Sequence, residues 1–305
     1  MFDEAANGNS RLTSANLPAQ RYLATNRFKV REGAKAKFEK RWADRKSRLA
    51  ILPGFRFFSL FKRIELPGMP PSDDPHNYIS FTIWENKGNF DAWRTGDAFK
   101  EAHGGGGITD FLKLLGTALF ILDGGPKPAF YDALLVKSGE KLEFATDNGW
   151  RSIVADGVNF IPADIIMTQN RFKVLEGKEV EFEQQWAARE SRLEEVPGFI
   201  GFTMLRRDAS KADDGYNYIS STIWRDLAAF TNWKSSDAFK AAHAAAGTQT
   251  KCYEEAPKLA VYEGKLTLMS DLGIGSGPAT PLSGTGMSPS MLRPEASSTG
   301  AKVSQ

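Results

Sequence analysis

The sequence predicts an α+β protein built from two tandem copies of a domain with the element order βαββαβ. One observation behind this prediction is an internal repeat: residues 26–55 match residues 170–199 at 18 of 30 positions without a gap, and residues 77–103 match 217–243 at 15 of 27. The repeated unit of about 110 residues has the length of an independent domain and is too long for a solenoid unit. The other observation is that both copies carry the same succession of strand-like and helix-like segments.

Each copy is predicted to begin with a short strand and an amphipathic helix. The strand is predicted at NRFKV, which starts at Asn26 or Asn170, because Phe and Val favour strands. The helix is predicted from large apolar residues at spacings of four and seven, namely Phe38, Trp42 and Leu49, and Phe182, Trp186 and Leu193. It is expected to end at the Pro-Gly-Phe step that follows, because a proline disfavours helical backbone in the residue before it.

The rest of each copy is predicted as two strands, a short helix and a last strand. The stretches FRFFSLFKR and FIGFTMLRR predict the second strand, and YISFTIW and YISSTIW predict the third. A short helix capped by Asp97 or Asp237 follows, and AFYDALLV or AVYEGKLTL closes the copy as a strand. This order is that of the ferredoxin-like motif.

The predicted domains span residues 22–136 and 166–268, with residues 137–165 as a linker. Residues 1–21 and 269–305 are predicted to be disordered, the latter because the segment is dense in Ser, Gly, Pro and Thr.

Composition excludes several partners. The net charge is +2 and basic residues alternate with acidic ones, so neither a nucleic acid nor a membrane surface is expected as partner, and no apolar run is long enough to span a bilayer. The single cysteine, Cys252, fits a reducing compartment. The start MFDEAANGNS lacks the hydrophobic segment of a secretory signal and would fit the remnant of a trimmed transit peptide, so the cytoplasm and a plastid are both open.

Two of the three histidines end the same repeated segment. FDAWRTGDAFKEAH places Trp93 ten residues before His103, and FTNWKSSDAFKAAH places Trp233 ten residues before His243. An imidazole in the last turn of a helix can bind haem iron, although a capping or surface role is commoner for such a histidine.

The repeated asparagines and tryptophans each allow two interpretations. Asn26 and Asn170 either cap the end of a strand or present a buried amide donor to a ligand. Trp93 and Trp233 are by default core aromatic residues, as Trp42, Trp84, Trp186 and Trp224 are expected to be.

Together, the strand opening NRF, the segment that runs from Trp to FKEAH or FKAAH, and the βαββαβ order resemble the antibiotic biosynthesis monooxygenase (ABM) superfamily. Within it they resemble the IsdG-type haem-degrading monooxygenases, whose Asn/Trp/His triad has the tryptophan ten residues before the histidine. Both copies match this triad, with Asn26, Trp93 and His103 in the first and Asn170, Trp233 and His243 in the second.

The resemblance implies a haem-degrading monooxygenase in which haem is both substrate and cofactor. It implies that His103 or His243 binds the haem iron, that the asparagine donates a hydrogen bond toward the reacting oxygen, and that the tryptophan presses on the porphyrin. External electrons would come from a reductase or a small reductant, and no other protein-bound metal is expected. Family members usually pair single domains into a dimeric α+β barrel, so this chain is expected to be a monomer that forms the same barrel as a pseudo-dimer.

If only one site is active, the sequence favours the second, because four glycines follow His103 whereas AAHAAAG favours helix continuation after His243. Three alternatives remain open at this point. They are a cofactor-independent oxygenase of the same fold acting on a quinol or polyphenol, a haem-binding protein that does not degrade haem, and a barrel without catalytic activity.

Overall fold

The computed structural model describes residues 15–45, 47–69, 72–102, 120–189, 191–208, 214–244 and 251–275. The first repeat contributes strands β1 (Arg21–Phe28), β2 (Phe55–Ile64), β3 (Tyr78–Trp84) and β4 (Lys127–Ser138), and helices α1 (Lys35–Ala43), α2 (Lys87–Thr95) and α3 (Asp97–Ala102). The second repeat contributes β5 (Ile165–Phe172), β6 (Phe199–Arg207), β7 (Tyr218–Trp224) and β8 (Lys258–Met269), and α4 (Glu179–Ala187), α5 (Leu227–Ser235) and α6 (Asp237–Ala244).

The eight strands form one closed antiparallel barrel in the order β1-β3-β2-β8-β5-β7-β6-β4. Each repeat supplies a four-stranded sheet of order 4-1-3-2, and the sheets meet at two seams, β2 with β8 and β4 with β6. The predicted pair of ferredoxin-like domains within one α+β barrel is therefore confirmed.

Side chains of each strand alternate between the barrel interior and the helices outside. In β1, Leu23 belongs to the interior cluster, whereas Tyr22 and Phe28 pack with α1 and α2 in an outer cluster. By the same alternation Asn26 lies on the outer face, between the sheet and the helices.

The strands that carry the asparagines begin earlier than predicted. Asn26 is the sixth of eight residues in β1, and Asn170 is the sixth of eight in β5. Residues 21–25 join the strand because each of them pairs with β4, and from residue 22 also with β3. The alternative of an asparagine that caps a strand end is therefore wrong.

The helix after β1 is shorter than predicted. α1 ends at Ala43, and Leu49 lies in a separate 3-10 turn, Leu49–Ile51; in the second repeat Leu193 lies in the equivalent turn. Phe38 and Leu49 are nonetheless both buried. The apolar spacing shows only that these residues are buried in the same core. A short helix followed by a turn can bury them as well as one long helix can.

Both ends of the described chain pack on the barrel, where the sequence predicted disorder. Leu17 N donates to Glu183 Oε2 at 2.5 Å, and Ile274 is buried with its carbonyl accepting from Arg21 Nε at 3.2 Å. Leu17 packs against the outer cluster of the second repeat, and Ile274 belongs to the interior cluster. The rest of the two segments predicted as disordered, residues 1–14 and 276–305, lies outside the described residues.

Within the described ranges, no helix combines the length and apolar character needed to cross a bilayer.

Candidate functional site

A cavity of about 200 Å³ lies in the first repeat between the outer face of the sheet and helices α1 to α3. Its walls are mostly aromatic, formed by Trp42, Phe58, Phe90, Trp93, Phe99, Phe130 and Trp150. Its polar lining comes from Thr25, Asn26, Arg45, Ser47, Ser80, Thr82 and Arg94. Flat apolar walls with a few polar groups are typical of a small-molecule site.

Two residues of the first predicted triad, Asn26 and Trp93, line this same cavity. Asn26 reaches it from the outer face of β1. Trp93 reaches it from α2, whose start is fixed by the Asn86 side chain accepting a hydrogen bond from Asn89 N at 2.9 Å. Trp93 is half-buried and stacks on Trp84 with ring centroids 5.2 Å apart. The structure thus brings together two residues that are 67 positions apart in the sequence.

The two predicted histidines follow these residues in the sequence. His103 comes directly after α3, whose Phe99 lines the cavity, but it lies outside the described residues. His243 lies in the last turn of α6, as predicted, and its side chain is outside the description. Binding of haem iron by either histidine therefore stays a prediction.

The residues predicted to cap these helices lie inside them. Asp97 and Asp237 are the first helical residues, and in the second repeat Ser236 Oγ accepts the hydrogen bond from Phe239 N at 3.1 Å. Asp97 instead accepts from Lys100 Nζ at 3.1 Å, within the same helix.

The second repeat arranges its matching residues around a tighter core. Trp233 is only 7% exposed and packs against Trp224 and Phe239. The amide of Asn170 donates to Ser220 Oγ at 3.4 Å. Asn170 and Trp233 thus occupy the same two elements as Asn26 and Trp93 do in the first repeat.

Two cations among the cavity residues were missed by the sequence argument. The Arg45 guanidinium lies over the Trp42 ring, 4.2 Å from its centroid, and burial together with nearby Arg41 lowers the pKa of Arg45 to about 10. It stays protonated at neutral pH. Arg94 Nη2 lies 3.4 Å from Asp91 Oδ1. Guanidinium groups in a partly apolar site suit a carboxylate ligand.

Trp150 was also missed, because the sequence placed it in a linker. It is 6% exposed and packs on Phe58 with ring centroids 5.3 Å apart. A signal was present: six of the seven tryptophans form repeated pairs, and Trp150 is the one without a counterpart.

The fit to haem is mixed. The aromatic walls suit a flat macrocycle, and Arg45 and Arg94 suit its propionates. The volume of about 200 Å³ falls below the roughly 300–1,000 Å³ of typical ligand sites, so a macrocycle requires the cavity to widen. In the described part of the chain, no cluster of three or more His, Cys, Asp or Glu side chains forms a separate metal site.

The remaining histidine and the cysteine lie away from the cavity. His76 Nδ1 contacts Asp74 Oδ1 at 2.8 Å in an ion-pair cluster between the repeats. Cys252 is buried and accepts from Gln185 Nε2 at 3.4 Å, and burial raises the pKa of its thiol, which disfavours the reactive thiolate.

No curated protein matches the chain in sequence. Solved structures are similar in fold at low sequence identity. A candidate monooxygenase from Fusobacterium nucleatum has a TM-score of 0.54 and 11% identity, covering 82% of this chain and 95% of its own. A second candidate monooxygenase, from Lactobacillus acidophilus, has a TM-score of 0.52 and 9% identity, covering 82% and 96%. A haem-degrading enzyme from Listeria monocytogenes is less similar, with a TM-score of 0.34 and 11% identity, covering 80% and 98%.

The model of one protein family matches both repeats, over residues 21–105 and 165–245. These two matches cover more than half of the chain and include β1, α2 and α3, which border the cavity. The chain therefore belongs to the antibiotic biosynthesis monooxygenase family, with two copies of the family's domain in tandem.

Proposed function

We propose that the protein is a haem-degrading monooxygenase that uses O2 and external electrons to open the porphyrin ring and release the iron. The observation that supports this most directly is that Asn26 and Trp93 line one cavity, bordered by the helix that leads to His103. These are the residues of the triad that marks haem-degrading members of the superfamily.

Each group has a separate task in this proposal. The aromatic walls hold the flat ring, and Arg45 and Arg94 pair with its two carboxylates. The Asn26 amide donates a hydrogen bond toward the reacting oxygen, while the Trp93 indole restricts the plane of the ring. His103, or His243 in the second repeat, supplies the imidazole that binds the iron. The bound haem itself supplies the oxygen chemistry.

The test is a haemin titration followed by turnover. Purified protein is titrated with haemin while the Soret band is recorded, and ascorbate is then added in air with catalase, which removes the peroxide route. The variants His103→Ala and His243→Ala form a matched pair. We expect a saturable Soret band that disappears with release of ferrozine-reactive iron, and loss of this reaction in one or both variants. The proposal would be contradicted by a protein that shows no saturable Soret band. It would also be contradicted if both histidine variants bleached haem at the rate of the wild type.

A cofactor-independent oxygenase acting on a quinol or polyphenol is the second candidate. The observation that favours it is the cavity volume of about 200 Å³, which lies below the range of typical ligand sites and so favours a molecule smaller than a porphyrin. Oxygen consumption with an anthrone or quinol, unaffected by either histidine substitution, would support this candidate. A Soret band that is saturable but stable under ascorbate and O2 would instead indicate a haem-binding protein without degrading activity.

A further inference from the structure

The two repeats differ in charge, although the chain as a whole is nearly balanced. Residues 22–136 carry 18 Lys and Arg against 13 Asp and Glu, whereas residues 166–268 carry 14 against 15. The first helix of each repeat and the turn after it account for this difference. Residues 35–48 hold seven Lys and Arg against two Asp and Glu, whereas the matching residues 179–192 hold two against four. The helix α1 is therefore basic, and α4 is acidic.

Three cations of α1 form a stripe on the outward side of the helix. Lys37, Lys40 and Arg41 are spaced three and four residues apart, which places them on one face. Phe38 and Glu39, on the other side of the helix, are buried. The Lys37 side chain is exposed, and the Lys40 side chain is 42% exposed. The stripe is therefore open to a partner in solution.

This stripe keeps an excess of positive charge. Lys40 Nζ pairs with Asp44 Oδ2 at 2.9 Å, but among the described residues neither Lys37 nor Arg41 forms an ion pair with a carboxylate. Lys37 and Arg41 are four residues apart, and like charges at that spacing destabilise a helix slightly. At the three matching positions the second repeat carries Glu181, Gln184 and Gln185. The fold therefore does not need cations at these positions.

The linker between the repeats crosses α1 without covering the charges of the stripe. It passes over the helix at Gly157, where a Cβ atom would lie 3.2 Å from Lys40 Cδ and 3.9 Å from Lys37 Cγ. The linker thus contacts the aliphatic stems of the two lysines, and their ammonium groups remain at the surface.

The same helix forms a wall of the cavity in the first repeat. Trp42, the neighbour of Arg41 in α1, lines the cavity, and so does Arg45, just after the helix. A molecule docked on the stripe is therefore separated from the cavity by one helix, which is about 10–12 Å across.

We propose that the outward face of α1 is the docking surface for an acidic one-electron donor protein that serves the site of the first repeat. The inference rests on the proposed function, because that reaction consumes external electrons. Each encounter moves one electron from the reduced donor, which is oxidised, to ferric haem, which becomes ferrous. Opposite charges steer such encounters and orient the partners. The acidic α4 repels the same donor, so the electrons are delivered to the first repeat.

The first test measures binding without haem. The probe is oxidised plant-type 2Fe–2S ferredoxin, an acidic one-electron carrier, titrated into the full chain in a calorimeter at about 20 and about 200 mM NaCl. We expect saturable binding with a Kd that rises at least about tenfold between the two salt concentrations. Lys37→Glu combined with Lys40→Gln gives α1 the residues of the second repeat and is expected to raise the Kd at least about tenfold at the lower salt concentration.

Lys234→Glu combined with Lys240→Gln is the matched control, because it changes the net charge by the same amount at exposed positions of the second repeat. This pair is expected to leave the Kd within about twofold of the wild type. An equal loss of affinity in both pairs, or no saturable binding of ferredoxin, overturns the inference. If vesicles of phosphatidylcholine and phosphatidylserine bind the wild type through these lysines and ferredoxin does not, the surface belongs to a membrane and the inference is also overturned.

A second test separates the docking surface from the proposed reaction. Haem loss is driven either by ferredoxin with its reductase and NADPH or by ascorbate. The substitutions in α1 are expected to slow the ferredoxin-driven reaction at least about tenfold at subsaturating ferredoxin and to leave the ascorbate-driven rate unchanged. Equal ferredoxin-driven rates in the wild type and this variant overturn the docking surface and leave haem degradation standing. Ferredoxin that binds with the expected dependence on α1, while haem survives both reductants, contradicts haem degradation alone.

Discussion

Asn26 and its counterpart Asn170 have different surroundings in the two repeats. The Asn26 side chain lines the cavity, whereas the matching Asn170 amide donates to Ser220 within the protein. We expect Asn26→Ala to lower the rate of haem loss at least about tenfold, equal to ~1.4 kcal/mol of transition-state stabilisation, because a donor near the reacting oxygen is removed. The rate of haem loss under ascorbate, at saturating haemin, is the measurement.

Asn170→Ala is the matched control for this prediction and is expected to leave the rate nearly unchanged. A larger effect of Asn170→Ala than of Asn26→Ala would place the active site in the second repeat. Equal effects would indicate two working sites.

The sequence identifies the site residues that recur at the same spacing in both repeats. It misses those that reach the site only because of how the chain folds between the repeats. Asn26 and Trp93 were predicted because each recurs in the second copy. The position of Trp150 at the cavity could not be predicted. It depends on how the linker between the repeats packs against the first repeat.

Two strands and two helices are held together by a pair of buried carboxylates. Glu39 in α1 accepts from Tyr78 Oη at 2.7 Å and from Ile161 N at 2.7 Å. Glu183 in α4 accepts from Tyr218 Oη at 2.6 Å and from Leu17 N at 2.5 Å. Each carboxylate thus fastens a helix to the third strand of its own repeat and to the segment that precedes the first strand of the other repeat.

Removal of either tyrosine hydroxyl is expected to destabilise the fold unequally. Tyr78→Phe leaves Glu39 fully buried with one donor fewer, at a cost of about 1.5–3 kcal/mol in the free energy of unfolding. Tyr218→Phe is expected to cost less, because Glu183 keeps an ion pair with Arg206 Nη1 at 3.0 Å. Urea unfolding followed by circular dichroism measures both. Equal costs, or no cost for Tyr78→Phe, would contradict the assigned role of these hydroxyls.

Strands were better predicted from sequence than helices. The third strand of each copy, Tyr78–Trp84 and Tyr218–Trp224, coincides with the β-branched and aromatic runs that predicted it. The first helix was predicted too long, because its apolar periodicity continues into a 3-10 turn. The apolar periodicity of a segment indicates which face is buried. It does not indicate the residue at which the helix ends.

On the scale of the whole molecule, the repeats are joined by charge as well as by the two seams. Arg27 Nη1 contacts Asp214 Oδ2 at 2.7 Å, and Arg171 Nη1 contacts Asp74 Oδ2 at 2.9 Å, so each pair crosses between repeats. All four side chains are at most 14% exposed. The closed barrel was expected only through the family resemblance, because pairing across the seams brings together strands that are far apart in sequence.

Asp74 makes this cluster sensitive to acid. Burial alone would raise the pKa of Asp74, but the backbone N–H of His76 and the Arg171 guanidinium outweigh it and hold the pKa below its ordinary value. A carboxyl group with a lowered pKa stabilises the fold fully above its unfolded pKa of about 3.9, and this contribution is lost as the pH falls through the lower, folded value. The cluster is therefore expected to weaken below about pH 4.

Asp74→Asn is expected to reduce the free energy of unfolding at pH 7 by about 3 kcal/mol, because the buried Arg171 then shares Asp214 with Arg27 as its remaining carboxylate partner. The substitution is also expected to flatten the acid dependence below about pH 4. Urea unfolding of both proteins at pH 7, 5, 4 and 3.5 gives the two slopes. Asp44→Asn, which removes an exposed i,i+4 pair with Lys40, is the control and is expected to change stability by less than about 0.5 kcal/mol. Parallel pH profiles for the wild type and Asp74→Asn would show that the acid sensitivity of the barrel arises elsewhere.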